Sequence, residues 1–166
     1  MKTAGDADVG RIVIMGRKPK SVRSYKKTVW DEFSQYIRLR DCLKTTGTRE
    51  WGKCITCDKT IHFKDAHAGH FVGGRRPNNL FDETGCHLQC NYCNTFLSAN
   101  QLVYRRKIIE MYGEGYEEIL EEKDKITKHF TIPDLQEIMK ETKRKIWELN
   151  NLNLIVPNKR KKEDGK

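Results

Sequence analysis

Two Cys-x-x-Cys pairs, Cys54-Ile-Thr-Cys57 and Cys90-Asn-Tyr-Cys93, constrain this chain more than any other feature. Each pair can turn two thiolates toward one ion, and together they complete a closed tetrahedral site. Thiolate softness selects zinc over magnesium or calcium. With four protein ligands the ion would be structural, because no coordination position stays open for a substrate. The 32 residues between the pairs exceed the loop of the simplest zinc ribbons, so structure is inserted between the two knuckles. Chance pairing of cysteines is the competing reading. No stretch reaches transmembrane length, and "IVIM" near the N-terminus is too short for a signal-peptide core. The chain therefore reads as cytosolic, where disulfides are rare. Cys42 and Cys86 default to small buried residues.

The 166 residues suit one domain, and a content of 33% charged residues limits its core. Such a chain needs help from a metal, a partner or well-packed helices. The net charge of +9 gathers in "RKPKSVRSYKK" (17–27), "YRRK" (104–107), "KRK" (143–145) and "KRKK" (159–162). Patches of this kind fit a polyanion bound through counterion release, with a merely solvated surface as the alternative. A membrane surface fits less well, since no basic amphipathic helix with a broad apolar face stands out.

Composition and periodicity divide the chain into a flexible basic arm (1–27), a zinc-stapled domain with flanking helices (28–152) and a disordered basic tail (153–166). A helix is expected from Thr28, with Trp30, Phe33, Ile37 and Leu43 near one face, ended by "TTGT" at 45–48. "KCITCDKTIHF" reads as a short hairpin around a zinc knuckle, and "GGRRPNN" (73–79) as a loop. A helix starting around or just after the second cysteine pair carries Leu102, Ile108, Ile109 and Tyr112 and stops at Gly113. "EGYEEILEEKDKI" is a further short helix. The last helix takes Thr131 as N-cap and Pro133 in its first turn.

The insert holds His62, His67, His70 and His87, four of the five histidines. A lone histidine is usually a surface or satisfied core residue, and His62 and His129 receive that reading. His67 and His70 flank the small pair Ala68-Gly69, which permits close approach of a ligand. Asn94 follows the second cysteine pair directly, fixed by the zinc site at the opening of a helix. There it would act as a helix cap or as a hard oxygen ligand for Mg2+.

The order Cys-x-x-Cys, a histidine-bearing strand, then Cys-x-x-Cys-Asn resembles the zinc-containing HNH, or ββα-metal, nucleases. In layout it is similar to phage endonuclease VII, a junction-resolving enzyme. The segments "FSQYIRLRDC", "CITC", "HAGHF", "FDETGCHLQCNYCN", "LSANQLVY" and "MYG" resemble the phage NinG (Rap) recombination-protein family more closely. That resemblance spans about residues 30–113. It implies an α+β fold with a small zinc-stapled ββα-metal (HNH-like, treble-clef) core, flanking α-helices and disordered basic ends. It also implies a structure-specific DNA endonuclease acting on Holliday junctions and D-loops in phage recombination, in the cytoplasm of the bacterial host.

Carried over by position, His70 falls where the general base lies, and His67 and Asn94 match the two ligands of a catalytic metal. Asp65 replaces His67 if the strand register differs by two. His87, in "HLQC", would orient the phosphate, support His70 or bind the catalytic metal. The family-type pattern departs at Gly85, where many zinc-containing HNH proteins have a bracing asparagine; Asn78 or Asn79 are the substitutes at hand.

Such a site fits phosphodiester hydrolysis. Neutral His70 would take a proton from water. Mg2+ or Mn2+ on His67 and Asn94 would bind the scissile phosphate and the departing 3′ oxygen. Arg75 and Arg76 would clamp phosphates, and Arg105, Arg106 and Lys107 would track a second backbone segment. No residue set suggests base-edge readout, so branched shape is the expected target. Two nicks per junction call for a homodimer, and recombination proteins are expected partners. The competing readings are a non-catalytic zinc module that binds nucleic acid and a zinc-stapled interaction adaptor.

Overall fold

A computed structural model describes residues 21–73 and 77–151. Ser21 opens the first helix, α1 (Val22–Thr46), by accepting from the Ser24 N–H at 3.2 Å. Gly47 closes it at φ 73°, donating its N–H to the Leu43 carbonyl at 3.0 Å. The helix therefore begins six residues before the expected Thr28, and "VRSYKK" belongs to it rather than to a flexible arm. The serine cap sits inside a basic run that carries no apolar signal, which hides the true start. The expected arm up to residue 20 and the tail from residue 152 lie outside the described residues.

Two small antiparallel hairpins follow. β1 (Trp51–Lys53) pairs with β2 (Thr60–His62), and β3 (His67–His70) pairs with β4 (Cys86–Gln89). The registers are Gly52 opposite Ile61 and His67 opposite Gln89, with Gly69 opposite His87. Gly52 must be glycine, because a β-carbon there would lie 2.7 Å from Leu88 Cδ1 and 2.8 Å from Cys42 Sγ. The first hairpin is thereby pressed onto α1 and β4. Cys42 and Cys86 are fully buried, as expected of small core residues.

The helix expected from the second cysteine pair to Gly113 is broken. A π-helical turn (Tyr92–Phe96) carries Cys93, a 3-10 turn follows at Ser98–Asn100, and only then does α2 (Gln101–Tyr112) begin. Ser98, Ala99 and Asn100 all take positive φ, between 48° and 69°. Such a run is strained for non-glycine residues. One contact that holds it is the Ala99 carbonyl, which accepts from Gln89 Nε2 at 2.9 Å. Two more helices, α3 (Tyr116–Lys125) and α4 (Ile132–Asn150), complete the described chain. In α4, Thr131 and Asp134 form a capping box with Pro133 in the first turn.

Two of the apolar clusters among the described residues hold the mixed α+β arrangement together. Trp30, Phe33, Tyr36 and Ile37 of α1 pack with Leu80, Cys86 and Ile146, which seats α4 along α1. Phe71, Ala99, Tyr104, Ile108 and Leu120 form the second, joining α2 and α3 to the end of β3. A polar strap holds α1 on β4. Asp41 accepts from the Leu88 N–H at 2.7 Å, while Arg40 donates to Asp41 and to the Glu83 and Cys86 carbonyls. Among the described residues, no helix is long and apolar enough to cross a membrane.

Candidate metal centres

The first hairpin and the turn after β4 bring the four cysteines together. Cys54 follows β1, and the chain turns back at Asp58, where φ is 56° and the N–H returns to the Cys54 carbonyl at 2.9 Å. The Ile55 N–H bonds the Leu88 carbonyl at 2.9 Å, which fixes this knuckle to β4. Cys90 leaves β4, and its sulfur accepts from the Cys93 N–H at 3.4 Å. The four sulfurs all lie within 4.8 Å of one another, and Cys57 Sγ is 3.8 Å from Cys90 Sγ. A tetrahedron with metal–sulfur bonds of about 2.3 Å has edges of about 3.8 Å. Four soft donors at this spacing fit zinc, and no histidine belongs to the set.

A second constellation lies beside it. Side chains alternate along β3, so His67 and Gly69 face one way and Ala68 and His70 the other. On the first face, Asn94 reaches His67 as soon as the chain leaves Cys93: its side-chain Nδ2 donates to His67 Nδ1 at 3.1 Å. Both groups are partly accessible. Asp65 sits on the exposed 3-10 turn before β3, so His67 is the residue that meets Asn94. Gly69 is required between them, because a β-carbon would lie 2.7 Å from Asn94 Oδ1 and 2.0 Å from Gln89 Oε1.

His70 is turned to the opposite face and is not brought together with that pair. It is buried, stacked on Trp30 at 4.9 Å, with Nε2 3.2 Å from the Leu80 carbonyl. A carbonyl only accepts, so Nε2 carries a proton. Gly85 supplies no side chain here, and the bracing falls to Asn79. Its amide donates to the Leu120 carbonyl and to Asp124, both at 3.2 Å, anchoring the backbone whose next carbonyl holds His70. Asn78 instead ties the loop to the end of α3 through the Lys123 carbonyl at 2.9 Å.

Of the alternatives for His87, metal binding is the one its bonding disfavours. The side chain shares the His67 face, yet both ring nitrogens are engaged within the protein. Tyr104 donates to the Gly69 carbonyl at 3.0 Å and so accepts from His87 Nδ1 at 3.0 Å. Tyr112 then donates to Nε2 at 3.2 Å. A fully bonded ring that is 3% exposed is a packing and positioning element, not a metal ligand. Burial pushes its pKa from 6.5 down to about 4. Between these values the unfolded state holds more protons, so His87 favours folding above about pH 6.5 and progressively less as pH falls toward 4. The span amounts to roughly 3 kcal/mol. Urea unfolding at pH 7 and pH 5 should show the advantage of wild type over His87→Gln shrinking with acid. A constant difference would contradict a neutral buried ring.

A family model described as Bacteriophage Lambda NinG protein matches residues 10–152. The chain belongs to the NinG family. The NinG proteins of Escherichia phage 933W and Enterobacteria phage VT2-Sa are each 31% identical to it over 100 residues, covering 59% of this chain and 48% of theirs. The chain thus spans about half the length of these relatives. No solved structure matches it.

The basic residues of this NinG-family chain divide by what already holds them. Arg105 is drawn to α3, pairing with Glu117 at 3.4 Å and with Glu121. Lys107 pairs with Glu110 at 3.1 Å on the surface. Arg106 is exposed and forms no ion pair among the described residues. Arg75 and Arg76 lie outside the described residues. His62 caps a 3-10 turn and packs edge-on against Trp51, and His129 is exposed, in line with their ordinary readings. Sequence reasoning missed Gln89, Tyr104 and Trp30. Gln89 had one signal: it is polar, directly precedes Cys90 and shares the parity of His87.

Proposed function

We propose that this protein is a metal-dependent endonuclease of HNH type that cuts branched DNA, such as Holliday junctions and D-loops, during phage recombination in the host cytoplasm. The observation that carries this reading is the 3.1 Å approach of Asn94 to His67, held beside a separate and complete four-cysteine cluster. With the Nδ2 contact released, the His67 imidazole nitrogen and the Asn94 amide oxygen fit an ion that keeps positions open for phosphate and water. Bound there, Mg2+ or Mn2+ supplies positive charge to the scissile phosphate and the departing 3′ oxygen. The zinc cluster positions Asn94 through the adjacent Cys93, and β3 positions His67.

His70 is the proposed proton acceptor, a role that requires its ring, here on the face of β3 opposite His67, to move toward the phosphate when DNA binds. Its Leu80 contact places a proton on Nε2, and Trp30 fixes the plane of the ring. Membership of the NinG family and the excess of basic residues support DNA as the substrate. A homodimer and recombination proteins remain the proposed partners, since paired nicks need two sites. The test is a nuclease assay with zinc-loaded protein and Mg2+ or Mn2+ on four-way junction, flap, D-loop and linear duplex. Cleavage of the branched forms over linear duplex is expected. Salt-sensitive binding without cleavage of any of them would leave a non-catalytic zinc module instead.

A further inference from the structure

Gln89 is fully buried, and its Oε1 has no hydrogen-bond partner among the described residues. A buried acceptor without a donor is costly and calls for a physical explanation. Its orientation is fixed. Nε2 donates to the Ala99 carbonyl at 2.9 Å, an atom that can only accept, and also lies 3.3 Å from Thr56 Oγ1. Oε1 must then face the other way, toward Gly69 and Asn94. A β-carbon on Gly69 would lie 2.0 Å from Gln89 Oε1 and 2.7 Å from Asn94 Oδ1, so both amide oxygens crowd one spot that only glycine leaves open. Gln89 also stands directly opposite His67 in the β3–β4 register, on the same face.

We infer that Gln89 Oε1 is a third protein ligand for the hard divalent cation of the His67–Asn94 centre, an inference that rests on the reading of that pair as a metal site. A carbonyl-type oxygen suits Mg2+ or Mn2+, and a cation would satisfy the acceptor that the protein leaves without a donor. The same side chain spans three parts of the molecule: Thr56 in the zinc knuckle, Ala99 in the strained turn and Gly69 in the strand. Assembly of the zinc knuckle therefore helps to aim Gln89 at the second metal.

Mn2+ binding by the zinc-loaded full chain, followed through the electron paramagnetic resonance signal of free Mn2+, tests this without any cleavage assay. Zinc content and thermal unfolding are measured alongside. Wild type binds, and His67→Ala loses binding while keeping zinc. Gln89→Met, which preserves shape without the oxygen, weakens Mn2+ binding about tenfold or more, whereas Gln89→Glu tightens it by adding a charged oxygen ligand. If Gln89→Met fails to hold zinc, Gln89→Glu alone decides. Binding that is the same in wild type and Gln89→Glu overturns the assignment while leaving the His67–Asn94 site standing. No Mn2+ binding by wild type overturns both.

Discussion

Replacing Cys57 by alanine is expected to abolish folding of the domain, with zinc lost in the same step. The expected size follows from zinc-module energetics: a closed four-thiolate site contributes on the order of 10 kcal/mol to folding. That is comparable with the whole stability of an ordinary domain. Cys57 is the informative position because it is the exposed member of the four, whereas Cys54, Cys90 and Cys93 are buried. Its truncation removes little packing, so instability reports the metal rather than a cavity. Both hairpins feel the loss, since the Ile55–Leu88 bond ties the knuckle to β4 and Cys93 carries Asn94. Zinc content and circular dichroism of the purified variant provide the check. A soluble, folded and zinc-free Cys57→Ala protein would show that the cluster is not structural.

His70→Ala is expected to slow junction cleavage about 10²–10⁴-fold, the usual range for loss of a general base. The position of the ring complicates a naive reading. It is 7% exposed and stacked on Trp30, so alanine also removes core packing. His70→Gln retains polarity and much of the volume but cannot accept a proton at the working pH. The proton-acceptor role predicts that both variants bind junction DNA normally and cut slowly, with zinc retained. Wild-type rates in His70→Gln at unchanged stability would reduce His70 to a core residue held by Leu80.

Much of this arrangement was legible in local chemistry. Gly47, Gly113 and the Thr131–Asp134 box announce helix ends through caps that depend on neighbouring residues alone. The cysteine pairs announce a metal because two ligands per turn need no tertiary information. The meeting of His67 with Asn94 was partly legible, since Asn94 is adjacent to Cys93 and must sit where the metal holds it.

What escaped the sequence depends on distant partners. The break before α2 uses Ser98, Ala99 and Asn100 in left-handed conformations without a glycine or proline to signal it. The Gln89 amide that holds Ala99 comes from ten residues away. His87 looked reactive by type, but Tyr104 and Tyr112 occupy both its nitrogens. Arg105 pairs with Glu117 and Glu121 of α3, partners that its own sequence neighbourhood does not name. For His87 and Arg105 the partners came from a helix that periodicity located without saying which face it would turn.

The central claim is that two metals have separate residues: four cysteines for zinc, and His67 with Asn94 for chemistry. Its most direct measurement compares wild type and His67→Ala on a four-way junction in Mn2+, recording zinc content, DNA binding and cleavage together. Two separate sites predict one zinc per chain and equal junction affinity in both proteins, with cleavage slowed about 100-fold or more in the variant. Loss of zinc from His67→Ala, or cleavage at the wild-type rate, would contradict it.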